Sequence, residues 1–241
     1  MIGKFNKFTE KTSNTKLDYY SKKHSAEELK IIFDKTKSMM AFFEEKSGIK
    51  YYQPTYSQII IIGEHYQEMS GLSVLKSTCG GLALKNGTET NLISHELAHQ
   101  WWGNRITCQS WRHFWLNEGM ATFMSAAYNE HRFRNAKYEA DINSYKNVYE
   151  GIKRREHDKS LVFKNWLNPT RDDRNLVYFK GAYVLHLLRE EMGEDAFWKV
   201  IKLYSQKYFE KTVQTADFLK IMQDPSDKKL TPFFSKWGYN K

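Results

Sequence analysis

The sequence is short of cysteine, of proline and of long apolar runs, and each shortage removes a class of protein. Two cysteines in 241 residues, Cys79 and Cys108, cannot build a disulfide framework, and neither sits in a Cys-x-x-Cys pair. They read as two unrelated buried thiols. Four prolines and the lack of any low-complexity stretch leave little room for disorder away from the ends. The longest aliphatic run, Ile59 to Ile62, is one strand's worth of residues, far below the roughly 20 needed to span a bilayer. No transmembrane segment is expected. Residues 1–16, rich in Lys, Thr and Asn, contain no hydrophobic signal-peptide core.

What is present suits a globular enzyme-sized unit. Hydrophobic residues make up 41% and aromatics 15%, enough at this length to bury a real core. Lysine and arginine number 37 against 28 acids, a net charge of +9. The basic residues are scattered, and the tightest clusters, Lys153-Arg154-Arg155 and Lys228-Lys229, lie close to acids. That pattern is a solvated surface, and no nucleic-acid partner is expected.

Ser25-Ala26-Glu27-Glu28 is a capping box that opens a helix through about Lys46, which Gly48 ends. Gln58 to Ile62 and Gly71 to Lys76 read as strands, the second as an edge strand around Gly71 to Val74 that offers its backbone to an extended peptide. After the Asn86-Gly87 turn, residues 88–102 form a helix stopped by Gly103. Helices follow over Phe114 to about Arg132, between Arg134 and His157, and from Asp173 to Met192, with shorter ones opening at Thr215 and near Thr231-Pro232. A small mixed sheet followed by a mainly helical body is an α+β fold.

The chemistry lies in residues 92–118. His95 and His99 are four apart on a helix, so both imidazoles project from one face toward one metal ion. Glu96 then falls beside the ion rather than on it, the position of a general base. Nineteen residues after His99, in "WLNEGMATF", comes Glu118 among apolar neighbours. Burying it unpaired costs several kcal/mol, and a metal between the two helices removes that penalty. Two imidazoles and a carboxylate are a zinc donor set.

These segments, His95-Glu96-Leu97-Ala98-His99-Gln100-Trp101-Trp102-Gly103-Asn104 and Phe114-Trp115-Leu116-Asn117-Glu118-Gly119, resemble the aminopeptidase N family of gluzincin metallopeptidases, to which leukotriene hydrolase also belongs. Tyr178-Phe179-Lys180-Gly181 is similar to the family's Tyr-Glu-Lys-Gly block. The resemblance implies a thermolysin-like catalytic domain with one zinc ion on His95, His99 and Glu118. It implies Glu96 as general base and Tyr178 as the donor that stabilises the oxyanion. The substrate it implies is a peptide or small protein that loses N-terminal residues. A related hydrolase with endopeptidase or epoxide-type substrates, and a non-catalytic zinc or peptide-binding fragment, are the alternatives.

The resemblance thins before the zinc helix. The family's Gly-x-Met-Glu-Asn segment, whose glutamate grips the substrate amine, corresponds to Gln67-Glu68-Met69-Ser70-Gly71-Leu72. Matching methionine to Met69 puts Ser70 where the glutamate belongs and leaves Glu68 and Glu64 as substitutes, with Glu68, Met69, Ser70 and Gly71 as the substrate-binding stretch. The likeness runs from about Ser25, so residues 1–24 are expected to be the end of a preceding β-domain and 25–241 the catalytic domain of a larger parent chain. Met1 is then expected to be a cloning start, so that the lack of a signal peptide in these residues assigns no compartment. His186 is expected to be a packing histidine. His65 and His113 flank the site without being ligands, Trp101 and Trp102 pack the zinc helix, and Asn117 braces the site.

Overall fold

Two runs of β-branched and aromatic residues, β2 (Lys16–Ser21) and β3 (Thr55–Ile60), form the centre of a five-stranded sheet in the computed structural model, which describes residues 3–63, 65–163, 166–223 and 230–239. They run parallel, with Leu17 opposite Tyr56, and both of these side chains are fully buried. β1 (Asn6–Lys11) adds antiparallel to β2. On the other side β5 (Leu72–Leu75) adds parallel to β3, and β4 (Gln67–Met69) folds back antiparallel to β5. The order is β1-β2-β3-β5-β4. The sheet therefore continues across the boundary expected at residue 24, because β1 and β2 are hydrogen-bonded into the same sheet as β3. Glu64 and Lys228-Lys229 lie outside the described residues.

The expected edge strand is corrected. β5 is paired on both sides, and the edge belongs to β4, a three-residue strand not expected from the sequence. The edge strand is thus Gln67–Met69, with Gln67 and Met69 exposed and Glu68 half-buried.

The capping box at Ser25 is present, with Glu28 N–H donating to Ser25 Oγ and Ser25 N–H donating to the Glu28 carboxylate. The helix it opens is not continuous to Lys46, however. It splits into α1 (Ala26–Ile32) and α2 (Thr36–Ser47). At the break Phe33 stacks on Tyr19 of β2 with ring centroids 4.5 Å apart, and Thr36 hydrogen-bonds Gln58 of β3. Tertiary contact overrides helix periodicity there. α3 (Ser77–Lys85) follows β5, its period disguised by Gly80-Gly81.

α4 (Asn91–Ala98) carries the histidine motif and is shorter than the expected 88–102. Asn86 Oδ1 accepts from both the backbone N–H and the hydroxyl of Thr88, which holds that end in a turn. Past Ala98 the chain tightens into i→i+3 bonds, Gln100 N–H to Leu97 O and Trp101 N–H to Ala98 O. Trp101 and Trp102 are fully buried; their indole N–H groups donate to Ile49 O and to Ser205 Oγ.

β6 (Ile106–Cys108) leads to α5 (Trp115–Phe133), buried continuously from Trp115 to Asn129 and packed between α4, α6 (Asn135–Arg154) and α8 (Gly181–Met192). α7 (Arg171–Asn175) opens on a second capping box, Thr170 with Asp173, and passes through a π-helical turn, Leu176–Lys180, into α8. α9 (Glu194–Tyr208) is a 15-residue helix. β7 (Lys211–Val213) pairs with β6, and α10 (Thr215–Gln223) follows. No helix among the described residues is long and apolar enough to cross a membrane. Both thiols are free, Cys79 buried in α3 and Cys108 half-buried in β6.

Candidate metal centre and cleft

α4 and α5 cross so that His95 and His99 from one helix and Glu118 from the first turn of the other meet in the interior. The two histidine Nε2 atoms are 3.0 Å apart, and each is 3.3 Å from Glu118 Oε2. All three residues are buried. Donors about 2.0–2.1 Å from one tetrahedral ion lie about 3.3 Å from one another, so this donor set fits a zinc ion without rearrangement. Two imidazole nitrogens cannot both point protons at each other, and Glu118 Oε2 accepts no well-formed hydrogen bond among the described residues. A shared cation answers both demands.

The far ring nitrogens are anchored. His99 Nδ1 donates to Trp102 O over 3.0 Å, which leaves lone-pair density on Nε2. His95 Nδ1 lies 3.3 Å from the Thr122 hydroxyl, one turn along α5 from Glu118. Gly103 is required beside them: its φ is +141°, and a Cβ there would come within 2.6 Å of His99 Nδ1.

Electrostatics follow from burial and proximity. Burial lowers His95, and it also opposes charge on His99, but Glu118 beside His99 outweighs it and lifts that histidine to about 9. Burial would raise Glu118, but His99 and His95 hold it well below the usual carboxylate range. Glu96 is pushed up to about 8 by burial, and its Oε2 is unpartnered among the described residues.

Tyr178 comes from the π-helical turn, a local widening often found at functional sites. Its ring stacks on His95 at 5.7 Å. Burial first, and then the Glu118 charge, push its hydroxyl far above the ordinary tyrosine range, so it remains a donor. Lys180 fixes the turn from behind, with Nζ donating to Asp158 over 2.7 Å and to Lys159 O over 2.5 Å.

His95, Glu96, His99, Glu118 and Tyr178 line a cleft of about 670 Å³ together with His65, Glu68, Trp111 and Arg174. Of the four residues expected to bind substrate, Glu68 faces this cleft. Ser70 does not: it lies in the turn after β4 and bonds to the Tyr52 hydroxyl and the Gln53 amide. Met69 is half-exposed, and Gly71 N–H donates to Gln100. Gln100 also donates to Met69 O, and Asn104 donates to Glu68 O. Glu96 thus faces the cleft, while Gln100 and Asn104, beyond the end of α4, tie the β4–β5 hairpin to the motif segment.

Sequence reasoning missed Gln100, Asn104, Thr122 and Arg174, although each stands four residues from a named site residue or from the next in that series. The remaining expectations separate clearly. Asn117 Oδ1 accepts from Cys108 N–H and ties β6 to α5. His113 bonds Thr215, and His186 bonds the Tyr138 hydroxyl, both away from the cleft. His65 lines the cleft.

The model of the peptidase family M1 domain matches residues 31–237. Among curated proteins the chain is 27% identical to mitochondrial aminopeptidase 2 of Saccharomyces cerevisiae over 85% of this chain and 23% of that one. It is 27% identical to human glutamyl aminopeptidase over 89% and 23%. Lactococcus lactis aminopeptidase N is 30% identical over 61% and 18%. The chain therefore spans about a quarter of the length of these relatives. A solved two-domain M1 zinc metallopeptidase mutant bound to L-tryptophan superposes with a TM-score of 0.76 at 19% identity, over 99% of this chain and 52% of that one. An M1 zinc metallopeptidase from Deinococcus radiodurans gives 0.69 at 21%, over 92% and 48%. The fold is theirs, and with the family model covering nearly the whole sequence, this chain belongs to peptidase family M1.

Proposed function

We propose that this chain carries the active site of a zinc-dependent aminopeptidase, in which His95, His99 and Glu118 hold the ion. The observation that carries the reading is the convergence of those three donors at the spacing of one tetrahedral ion, with two further carboxylates, Glu96 and Glu68, on the same cleft. Relatives named as aminopeptidases support it.

Zinc bound there supplies Lewis acidity toward a peptide carbonyl and acidifies a water. The protein does the rest. Glu96, next to His95 but outside the donor set, takes a proton from the attacking water and delivers it to the leaving amine. Tyr178 donates its hydroxyl to the carbonyl oxygen as negative charge builds there. Glu68 holds the substrate's free ammonium, which fixes the first peptide bond against the other groups. The hydrogen bonds from Gln100 and Asn104 set the position of Glu68 relative to α4.

The test compares free-amine and N-acetylated versions of one peptide set with the zinc-loaded chain. Cleavage of the free-amine peptides alone is expected. Equal cleavage of both forms would replace the aminopeptidase with an endopeptidase, and no cleavage by a chain that binds one zinc would remove the hydrolase reading.

A further inference from the structure

Arg174 is the one permanently charged cation among the described residues that line the cleft. It lies in α7, four residues before Tyr178, on the helical stretch that delivers that tyrosine to the centre. Its immediate neighbours Asp172 and Asp173 are natural partners, but both are taken. Arg155 and His157 bind Asp172 at 2.8 and 2.7 Å, and Lys159 binds Asp173 at 2.6 Å. Arg174 makes no ion pair with any described residue, and its side chain is exposed to the cleft. Burial first, and then the charges of Glu96 and Glu118, push the hydroxyl of Tyr66, just before β4, above the ordinary tyrosine range, and the charge of Arg174 opposes them.

The cleft is therefore polarised. Glu68 stands at the β4 wall, the three donors and Glu96 lie at the floor, and a free guanidinium stands on the α7 wall. A planar guanidinium matches a carboxylate with two parallel hydrogen bonds.

Resting on the aminopeptidase reading, the structure assigns to Arg174 the recognition of a substrate carboxylate on the leaving-group side of the scissile bond. The substrates so selected are short peptides whose ammonium meets Glu68 and whose carboxylate meets Arg174. That carboxylate belongs to the C-terminus of a short peptide or to an acidic side chain near the cleaved bond, and the two sources are separable.

The test measures binding by calorimetry to the zinc-loaded full chain carrying Glu96→Gln, so that peptides persist. Four ligands are compared: Ala-Ala-Ala as the free acid, the same peptide as its C-terminal amide, and amides with Glu at the second or the third position. The acid is expected to bind about tenfold more tightly than the plain amide, a difference of about 1.4 kcal/mol. Arg174→Ala abolishes the preference, and Arg174→Lys keeps part of it by retaining charge without the planar fork. Recovery of affinity by a Glu-containing amide identifies a side-chain carboxylate as the source; its absence identifies the C-terminus. Equal binding of all four ligands, a carboxylate preference that survives Arg174→Ala, or no binding of any of the four overturns the assignment. Turnover by the chain with Glu96 intact is recorded in parallel. Arg174-dependent acid binding without turnover sinks the hydrolase reading and leaves the carboxylate site standing, while turnover with no acid preference does the reverse.

Discussion

A methyl group placed on Gly119 would come within 2.9 Å of the Cα of Gly181, and one placed on Gly181 within 3.0 Å of the Cα of Gly119. α5 and α8 cross backbone to backbone at this point. Glu118 immediately precedes one glycine, and Tyr178 stands three residues before the other, so their meeting over His95 is set by a contact that tolerates no side chain. Gly181→Ala gains helix propensity of up to about 1 kcal/mol. Overpacking against a backbone that cannot yield costs about 1–3 kcal/mol, so net destabilisation is expected. The separation of Glu118 from Tyr178 should also grow. Urea unfolding reads the first effect and the rate of peptide hydrolysis at saturating zinc the second. An unchanged rate in Gly181→Ala would mean that the crossing does not set the geometry of the centre.

Glu96→Gln separates the base from the ligands. The substitution is nearly isosteric and leaves His95, His99 and Glu118 intact. One zinc per chain should be retained while peptide hydrolysis falls by about 10²–10⁴-fold, the range for removal of a positioned proton-transfer group. Metal analysis and initial rates on the same preparation check both halves. Turnover at the parent's rate would take the general-base role away from Glu96.

Glu68 and Ser70 make a matched pair of tests. If Glu68 grips the substrate amine, Glu68→Gln should raise KM for free-amine peptides by about tenfold or more, as a charge-assisted hydrogen bond is worth about 1.5–3 kcal/mol. Ser70→Ala removes only bonds to Tyr52 and Gln53 outside the cleft and should leave KM nearly unchanged. The reverse ranking would return the amine site to Ser70.

The contrast between these two residues shows where sequence is legible and where it is not. His95, Glu96, His99 and Glu118 are placed by the period of one helix and the start of the next, and a period can be read directly from spacing. Glu68 and Ser70 share strand parity, and matching methionine to Met69 favours Ser70. What separates the two in space is the turn at Ser70-Gly71, which ends β4 after Met69 and leaves Ser70 bonded to Tyr52. That turn is held by Gln100 and Asn104, more than 30 positions away along the chain from most of the groups they bind. The same non-locality hid Arg174. Its freedom depends on Arg155, His157 and Lys159 having claimed the neighbouring aspartates, which no local pattern discloses. The break at Phe33 and the pairing of β5 on both edges are likewise products of tertiary contact.

Removing the ion should weaken the fold where α4 meets α5. A ligand present at 100 to 1,000 times its dissociation constant stabilises the native state by about 2.7–4.1 kcal/mol. For a chain of this size each kcal/mol moves the midpoint of thermal unfolding by about 2–4 °C. A chelator is therefore expected to lower the midpoint of the zinc-loaded chain by about 5–15 °C, and added zinc to restore it. Glu118→Gln keeps the volume of the side chain but replaces an anionic donor with a neutral one, so its midpoint should respond much less to chelator or zinc. Scanning calorimetry on both proteins, with and without chelator, checks the expectation. Two helices held together by apolar packing alone would give the same midpoint in all four samples, and that result would remove His95, His99 and Glu118 as a metal site.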